Sequence, residues 1–321
     1  MKIKKLLETS DYKPLIDLWN HEFGFIYPIS EELFYRNVVK SDDVLDEGSY
    51  TVVDDNDQVI GFIVTKVWNR AFPIPAYEDR AWISLIYVIP KERKKGIGTL
   101  LLNKAESEIK RLGKRTIQIG RDCENFFPGI PFDMKGSYKW FINRGYDAIG
   151  ETNDLIRSVT NNSTLIPTKD IDYEVRFATR SDRDKIIKFM EKNFPGRWQY
   201  EVTDYFDAGG TGREYLIAID NDNVIGFTRV NDQSTLDELI NYNLTWRNRF
   251  SALGGIGPLG VDADYRKQNL GFHMVATAVN SLIERKVSDI IIDWTSLVDF
   301  YRKFGFEVWK SYKYFEKKEE K

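Results

Sequence analysis

A basic, glycine-containing turn is the first stretch of this chain whose residue types could do chemistry. Residues 80–88 are mostly apolar, and residues 91–99 read Lys-Glu-Arg-Lys-Lys-Gly-Ile-Gly-Thr. Bare glycines let backbone N–H groups approach an anion closely, and the start of a helix favours negative charge. We therefore expect a pyrophosphate-binding loop here, formed by Val88, Arg93, Lys94, Lys95, Gly96, Gly98 and Thr99.

This loop differs from two common phosphate-binding motifs. It is not a Walker A sequence, because no Gly-Lys-Ser or Gly-Lys-Thr follows at the required distance. It is not a dinucleotide-binding fingerprint, because the third glycine is absent and no βαβ unit with a later acidic residue is evident. The alternative to phosphate binding is an ordinary helix start with solvated charges.

The chain contains one unit twice. Asp-Asn-Asp-Gln-Val-Ile-Gly-Phe at residues 55–62 recurs as Asp-Asn-Asp-Asn-Val-Ile-Gly-Phe at residues 220–227, and further matches follow in the same order. This repetition predicts two copies joined near residues 161–163, and hence two domains over residues 1–160 and 170–321. Below, these sequence repeats are called copy one and copy two.

Copy two carries an altered version of the loop. Asn269 replaces the first glycine. Asn tolerates the left-handed backbone conformation better than other non-glycine residues, so the loop can keep its shape. The residues expected to bind the cofactor in copy two are Leu259, Val261, Arg266, Gln268, Asn269, Gly271 and Phe272.

The hydrophobic pattern around each loop predicts an α/β fold with a mixed sheet. Apolar periodicity and turn residues predict, in order, two hairpin strands, a third strand, the loop, a helix and a further strand. In copy one these lie at residues 49–54, 59–68, 80–88, 97–112 (helix) and 115–119. In copy two they lie at residues 214–219, 223–230, 254–262, 270–286 (helix) and 289–293.

Composition excludes several classes of protein. At 321 residues and 42% hydrophobic content, the chain is long enough for about two domains with real cores. With a net charge of −3, the chain lacks the excess of positive charge that is typical of nucleic-acid-binding proteins. No apolar run is long enough to cross a membrane or to act as a signal peptide. A single cysteine excludes an intrachain disulfide and fits a reducing cytoplasm.

The same counts limit the chemistry. One cysteine and two histidines argue against a zinc site and against a Cys/His nucleophile, so we expect no metal. Any acid–base work must then be done by Tyr, Asp, Glu or water. A homodimer is left open.

The loop and the order of elements resemble the GNAT N-acetyltransferase superfamily. The loop pattern is Arg93-x-x-Gly96-x-Gly98 after a strand ending in Val-x-Pro, and the predicted elements resemble that fold in both copies. The resemblance implies two tandem GNAT domains. It also implies that the loop amides hold the pyrophosphate of acetyl-CoA, and that the preceding strand splays from its neighbour and pairs with the pantetheine arm. The implied reaction is acetylation of an amine, which loses a proton while the departing thiolate gains one.

In this superfamily a tyrosine of the last helix typically supplies that second proton, within a Phe-Tyr-x-x-x-Gly-Phe pattern. Copy two has the pattern intact at residues 300–306, so the resemblance implies that Tyr301 donates this proton to the departing thiolate. Copy one has Phe141 at this position and lacks the hydroxyl. Catalysis is therefore expected in the C-terminal domain, with the N-terminal domain as a structural partner whose CoA binding stays open. The alternative for Tyr301 is a helix tyrosine that only packs in the interface.

Asp293 is the second catalytic candidate. It ends the predicted strand at residues 289–293, beside the expected cofactor cleft, where a carboxylate can orient or deprotonate an ammonium group. The alternative is that Asp293 caps a helix starting near Leu297, a role that Thr295 or Ser296 could fill. Weaker candidates are Asp262 and Asp264 as bases, Asp237 and Glu238 as pocket residues, and Trp294 as a sugar-stacking side chain.

Three further features are interpreted as structural. Residues 126–131 read Phe-Phe-Pro-Gly-Ile-Pro, and such an apolar insert favours a packing plug over a substrate-gripping lid. Cys123 has no basic titratable neighbour in sequence and is interpreted as a bystander thiol. His273 is interpreted as a surface or packing residue.

Within the superfamily, the chain resembles two-domain bacterial enzymes that acetylate glucosamine and glucosaminides from cell-wall recycling. The shared segments are residues 126–131, Asp-Trp-Thr at residues 293–295 and Val-Trp-Lys at residues 308–310. The resemblance implies the free amine of glucosamine as acceptor. An aminoglycoside, a polyamine or a protein lysine remains an alternative acceptor. A CoA-binding regulatory protein without turnover is the alternative of another class.

Overall fold

The computed structural model describes residues 1–239 and 242–318, and in it the chain divides into two compact units. Unit 1 comprises Met1–Thr152 with Ser311–Lys321, and unit 2 comprises Asn153–Lys310. The predicted domains, 1–160 and 170–321, follow the sequence repeat. The units differ from them because the last strand of each copy is divided, and its second half pairs within the other unit.

Unit 1 is a sheet with four helices among its described residues. Its helices are α1 (Lys13–Phe23), α2 (Glu31–Phe34), α3 (Ile97–Arg111) and α4 (Lys135–Ile142). Its strands are β1 (Lys2–Lys5), β2 (Tyr50–Val53), β3 (Val59–Val67), β4 (Arg80–Val88), β5 (Thr116–Ile119), β6 (Ile130–Pro131) and the first part of β7 (Asp147–Ser158).

Unit 2 repeats the plan. Its helices are α5 (Arg183–Asn193), α6 (Arg197–Asp207), α7 (Leu270–Glu284) and α8 (Val298–Arg302). Its strands are β8 (Glu174–Phe177), β9 (Tyr215–Asp220), β10 (Asn223–Asp232), β11 (Leu253–Val261), β12 (Asp289–Thr295) and the first part of β13 (Glu307–Lys318), with the second part of β7.

Each sheet is antiparallel except at one pair of strands. In unit 1 the order is β1-β2-β3-β4-β5, followed by the second part of β13, and only β4 and β5 run parallel. In unit 2 the order is β8-β9-β10-β11-β12, followed by the second part of β7, and only β11 and β12 run parallel. The strands and the helix predicted around each loop are therefore present, and their bounds differ from the prediction by a few residues at most.

The helix after each loop packs its apolar face against the sheet. In α3 the buried residues recur at helical spacing and include Ile97, Leu101 and Ile109. In α7 the buried face is broader and includes Met274, Val275 and Leu282, which join the hydrophobic core of unit 2. Because this packing fixes the axis of each helix, it also fixes where the N-terminal amides of that helix point.

The two strand segments that change units are held by full ladders. In unit 2, Ser158 lies opposite Asp289 and Leu155 lies opposite Ile292. In unit 1, Glu316 lies opposite Gln118, and the Gln118 amide donates to the Glu316 carboxylate at 3.1 Å. The division of the last strands is thus a feature of hydrogen bonding as well as of packing.

Candidate active site

A cleft opens in unit 2 where the two parallel strands part. Their register runs from Leu253 opposite Asp289 to Gly255 opposite Ile291, and both strands continue beyond it. On the other side of β11 the pairing with β10 shifts by one residue around Gly257, so β11 bulges at this point. We call the space between residues 256–261 of β11 and residues 293–295 of β12 the cleft. It is the splay that the resemblance predicted.

The loops at the head of α3 and α7 have one backbone shape. Lys94 and Gly96 have φ of +63° and +90°, and Lys267 and Asn269 have φ of +64° and +62°. Asn269 therefore takes the left-handed conformation that the sequence predicted for it, at a small strain that Asn bears better than most residues. The substitution of the first glycine leaves the loop intact.

The first turns of these two helices fit an anion. The residues at the caps, Gly96 and Asn269, provide no side-chain hydrogen bond to the helix amides. A Cβ built on Gly96 would meet no atom within 4 Å, and one on Gly271 would meet only Val261, at 4.0 Å. Backbone N–H groups at a helix start, with space in front of them, are a suitable site for a phosphate. The loop residues thus fit the pyrophosphate of a CoA ligand in both units.

The two loop arginines have a role that the sequence did not reveal. Arg93 donates from Nε to the Val88 carbonyl at 2.8 Å, and Arg266 donates from Nε to the Val261 carbonyl at 3.1 Å. Arg93 also pairs with Glu22. Each arginine therefore closes the turn onto the end of the preceding strand, and only part of its guanidinium remains for a ligand.

Of the other residues predicted to bind the cofactor, some already have polar partners within the protein and others pack against apolar side chains. Gln268 accepts from the Tyr173 hydroxyl at 2.5 Å, Thr99 accepts from Arg144 at 2.5 Å, and Lys95 pairs with Glu92 at 3.1 Å. Gly98 lies under the Trp140 ring, with 3.4 Å from a built Cβ to the nearest ring atom. Three of them pack against the core of unit 2 while partly exposed: Leu259, Val261 and Phe272.

Asp293 faces the cleft. Its Oδ1 lies 3.5 Å from the point that a Cβ on Gly257 would occupy, so the carboxylate stands opposite the bulge of β11. Asp293 does not cap the helix, because α8 has no side-chain cap and the turn before it is closed by the Leu297 N–H, which donates to Thr295 Oγ1 at 3.0 Å. Asp293 is therefore left free for a role in the cleft.

The surroundings of Asp293 favour its protonated form. Burial is the largest cause and the nearby Asp154 carboxylate is the second, and together with Glu201 they raise the pKa of Asp293 to about 7. The backbone N–H of Asp293 and the Arg197 guanidinium act in the opposite direction. A carboxyl group with a pKa near 7 can both take and release a proton at neutral pH.

Tyr301 lies close to this carboxyl group. It is on α8, is 4% exposed, and packs in the core beside Phe300 and Phe306 with ring centroids 5.0 Å and 6.2 Å away. Burial raises the pKa of Tyr301 well above its ordinary value, and the charge of Asp293 raises it further. The phenol therefore keeps its proton at physiological pH and can only act as a donor.

Three residues of this neighbourhood were missed in the sequence. Asp154 accepts from the Trp294 backbone N–H at 3.0 Å, and Arg197 stacks on the Trp294 ring with its Cζ 4.8 Å from the centroid. Glu201 pairs with Arg197 at 2.7 Å, one helical turn away on α6. The sequence offered no distinct signal for Asp154, because β7 contains several other polar and charged residues. Its pairing with β12 could not be inferred from the repeat.

The weaker candidates lie elsewhere or have structural partners. Asp262 pairs with Lys192 at 2.8 Å and accepts from the Asp264 N–H at 3.1 Å, which fixes the turn after β11. Glu238 lines an open cavity of about 540 Å³ that also reaches Leu253, at the end of β11 away from the cleft. The side chain of Asp237 lies outside the described residues.

The features interpreted as structural are confirmed. Phe126 and Phe127 are buried, and the Phe127 ring packs on Trp19 and Tyr27 at 5.7 Å and 5.1 Å, so this insert is a plug. The Cys123 side chain is buried. One ring nitrogen of His273 lies 2.6 Å from the Lys169 carbonyl on the protein surface.

Unit 1 lacks the acid–base pair. The register aligns Thr116 of β5 with Asp289 of β12, so Gly120 stands at the position of Asp293. A Cβ on Gly120 would lie 2.3 Å from the Phe127 carbonyl oxygen, so the plug leaves no room for a side chain.

Near this point unit 1 buries an ion pair instead. Lys66 and Asp122 lie 3.0 Å apart, both almost wholly inaccessible to solvent. The Ser84 hydroxyl donates to Asp122 at 2.8 Å.

Comparison with known proteins agrees with this geometry. The model of the Acetyltransferase (GNAT) family matches the chain twice, over residues 12–127 and 183–306. The chain belongs to this family. The protein thus contains two GNAT acetyltransferase domains in tandem. No curated protein matches the sequence.

Solved structures share the fold at low sequence identity. A glucosamine N-acetyltransferase region of a fungal multi-domain β-N-acetylglucosaminidase is 21% identical, with a TM-score of 0.86 over 98% of this chain and 38% of that chain. This protein thus spans less than half of that chain. A GCN5-related N-acetyltransferase from Sphaerobacter thermophilus is 16% identical, with a TM-score of 0.71 over 99% of this chain and 95% of that chain. A tandem GNAT protein from the clavulanic acid pathway is 13% identical, with a TM-score of 0.69 over 99% of this chain and 98% of that chain.

In the part of the chain that is described, no group of three or more His, Cys, Asp or Glu side chains could hold a metal ion. Among the same residues, no helix combines the length and the apolar character that a membrane crossing requires.

Proposed function

We propose that unit 2 transfers an acetyl group from acetyl-CoA to a small primary amine, and that this amine is the amino group of glucosamine or a glucosaminide. One observation carries the reaction. Asp293 faces the parted strands, and Tyr301 lies close enough for the charge of Asp293 to raise the pKa of its phenol. A base and an acid in one cleft are what transfer between an ammonium group and a thioester requires.

The residues of the cleft fit the cosubstrate. Acetyl-CoA supplies the acetyl group in activated form. The N-terminal amides of α7, beyond Asn269, would hold its pyrophosphate, and the edge of β11 at Leu259 and Val261 would lie along its pantetheine arm. The fit rests on the uncapped first turn of α7 and on the parted strands.

Asp293 serves as the base in this proposal. A primary amine reaches the protein mostly as an ammonium ion, which cannot attack a carbonyl carbon. A carboxylate whose pKa is about 7 attracts that cation and can accept one of its protons at neutral pH. Because Asp154 and Glu201 are near Asp293, the site also offers net negative charge to a cationic acceptor.

Tyr301 serves as the acid. The leaving sulfur departs more easily when it gains a proton. The raised pKa of Tyr301 means that the phenol is protonated when the sulfur departs. Since Tyr301 is fixed in the core by Phe300 and Phe306, its hydroxyl does not need to be oriented during the reaction.

The choice of glucosamine rests on two likenesses. The chain resembles bacterial glucosamine acetyltransferases in the segments at residues 126–131 and 293–295. The fungal region with the same fold is itself a glucosamine N-acetyltransferase. Trp294 is partly exposed beside Asp293 and offers an aromatic face for a sugar ring.

The test is thiol release from acetyl-CoA with a panel of amines that includes glucosamine, glucosaminides, an aminoglycoside, spermidine and a lysine peptide. We expect turnover with the amino sugars, rising with pH through about 7. Turnover that is lost in Asp293→Asn but kept in Arg93→Ala supports unit 2 as the enzyme. Preference for spermidine or the peptide would overturn the proposed acceptor, and loss in Arg93→Ala alone would move catalysis to unit 1.

A further inference from the structure

Asp154 lies in the strand that copy one contributes to unit 2, and no sequence motif marks it. We propose that Asp154 is a positioning residue that fixes the bulge after Ile292 and thereby aims the Asp293 carboxylate into the cleft. This inference rests on the proposed function of Asp293 as the base.

The first support is the register of β7 against β12. Leu155 lies opposite Ile292, and Asn153 lies opposite Thr295. One residue of β7, Asp154, therefore faces two residues of β12, which is a β-bulge. A bulge turns a side chain away from its regular direction, and the two residues turned here are Asp293 and its neighbour.

The second support is a hydrogen bond at the bulge itself. Trp294 has φ of +25°, which is an unfavourable conformation for a bulky residue. Its backbone N–H donates to Asp154 Oδ1 at 3.0 Å. Asp154 is only 5% exposed, so this charge-assisted bond is shielded from water and strong enough to offset part of the strain.

The third support is electrostatic. Three charged groups act on Asp293 from the elements packed around it: Asp154 on β7, and Glu201 and Arg197 on α6. The Tyr301 phenol on α8 also faces Asp293, whose charge raises the pKa of that phenol. Asp154 is the side chain with the largest effect, and its negative charge raises the pKa of Asp293. Glu201 acts in the same direction and Arg197 in the opposite one. Asp154 thus affects both the direction and the proton affinity of the base.

The matching position in unit 1 shows a different arrangement. There, the residue of β13 that corresponds to Asp154 is Tyr314, and the residue that corresponds to Trp294 is Arg121, with φ of +70°. The Arg121 guanidinium stacks on the Tyr314 ring with its Cζ 3.9 Å from the centroid. Unit 1 holds its turn without a carboxylate, so the acidic residue in unit 2 is not required by the turn alone.

The test uses the full chain without ligand and compares Asp154→Asn, Asp154→Ala and the control Glu201→Gln. Asn keeps an oxygen for the Trp294 N–H but removes the charge, and Ala removes both. Two readouts are hydrogen exchange of the Trp294 amide and titration of the Asp293 carboxyl by carbon NMR. A third is the pH profile of kcat/KM with acetyl-CoA and glucosamine.

We expect the Trp294 amide to exchange at least about 10-fold faster in Asp154→Ala and to stay protected in Asp154→Asn and Glu201→Gln. The Asp293 midpoint and the acidic limb of the profile should fall by about one pH unit in both Asp154 variants. In Asp154→Ala, kcat should also fall by about 10²-fold, because the carboxylate is no longer aimed.

Unchanged exchange and an unchanged midpoint in Asp154→Ala would overturn the inference, whatever the activity. The proposed function fails separately, if the wild-type chain releases no thiol with any amine. In that case the exchange and the carboxyl titration still decide whether Asp154 holds the bulge. Thermal unfolding of each variant shows whether a loss of activity comes from misfolding. If Asp154→Ala does not fold, Asp154→Asn, which retains the bond to the Trp294 N–H, still tests the effect of the charge.

Discussion

At matching positions of the two sheets, near the end of β5 and of β12, unit 2 has Asp293 where unit 1 has Gly120. The carboxylate of Asp293 faces an open cleft, whereas the space in front of Gly120 is filled by the carbonyl of Phe127. The same contrast holds for Tyr301, which is replaced in unit 1 by the buried ring of Phe141. Unit 1 therefore lacks both groups that could move a proton.

The loops before α3 and α7 show the opposite behaviour. Their backbone conformations agree closely even though Asn269 replaces Gly96. Anion binding through backbone amides depends on conformation, so it survives changes of side chain. Acid–base chemistry depends on particular side chains and is lost with them. The comparison shows that two copies of one domain can keep the same loop shape while their side chains at the cleft diverge.

The largest expected effect is on the base. Asp293→Asn keeps the size of the side chain but cannot accept a proton, so kcat/KM should fall by about 10³-fold. The measurement is steady-state thiol release across pH, where the rise through about 7 should also disappear. A variant that keeps both the rate and the pH profile would break the contrast between Asp293 and Gly120.

The matched change in unit 1 should affect stability and leave catalysis intact. Asp122→Asn leaves the buried Lys66 ammonium without the carboxylate that it contacts at 3.0 Å, which costs about 3–5 kcal/mol. Denaturant unfolding should show this loss, with kcat unchanged in the folded protein. A large fall in kcat with little loss of stability would instead assign chemistry to unit 1.

The acid should come next. Tyr301→Phe removes the phenol, and kcat should fall by about 10²-fold with little change in the KM for the amine. The reverse change in unit 1, Phe141→Tyr, should add no activity because Gly120 provides no base. Rate measurements on both variants decide the point, and a gain of turnover in Phe141→Tyr would contradict the assignment.

A smaller effect is expected at the loop. Asn269→Asp keeps the left-handed conformation but places a negative charge beside the helix amides. The KM for acetyl-CoA should therefore rise by about 10-fold, while the charge does not destabilise the helix. The matched variant Gly96→Asp should leave that KM unchanged if transfer occurs only in unit 2. Equal effects of the two variants would show that both loops serve the reaction.

The smallest effect concerns stability against pH. The pKa of Asp293 is about 7 in the folded protein, above the value of about 3.9 for an unfolded chain. Folding is therefore favoured most below pH of about 4, and this contribution is lost as the pH rises through 7. An asparagine side chain cannot ionise, so Asp293→Asn avoids the loss of stability that the wild type suffers above pH of about 7. The Tm of this variant should therefore exceed that of the wild type at pH 8 and equal it at pH 4. Thermal scans at both values test this, and identical Tm values at pH 8 would contradict the raised pKa.

Much of the fold could be predicted because it is encoded locally. Apolar periodicity located the strands of both sheets, and the tolerance of Asn for positive φ predicted the shape around Asn269. The division of the last strands could not be predicted, since β7 carries no local sign of which sheet it pairs with. For the same reason Asp154 was missed, although Asp293, at the end of its own strand, was found.

The divided last strands also bear on how the chain is made. The sheet of unit 1 needs residues 311–318, which leave the ribosome only after all of unit 2 has been synthesised. Until then, β5 has an open edge, and such edges invite pairing with other chains. Unit 2, whose strand from β7 precedes it, can complete its sheet first. The second-made half of the protein is therefore the first that can finish folding, and an interrupted translation would leave the older half incomplete.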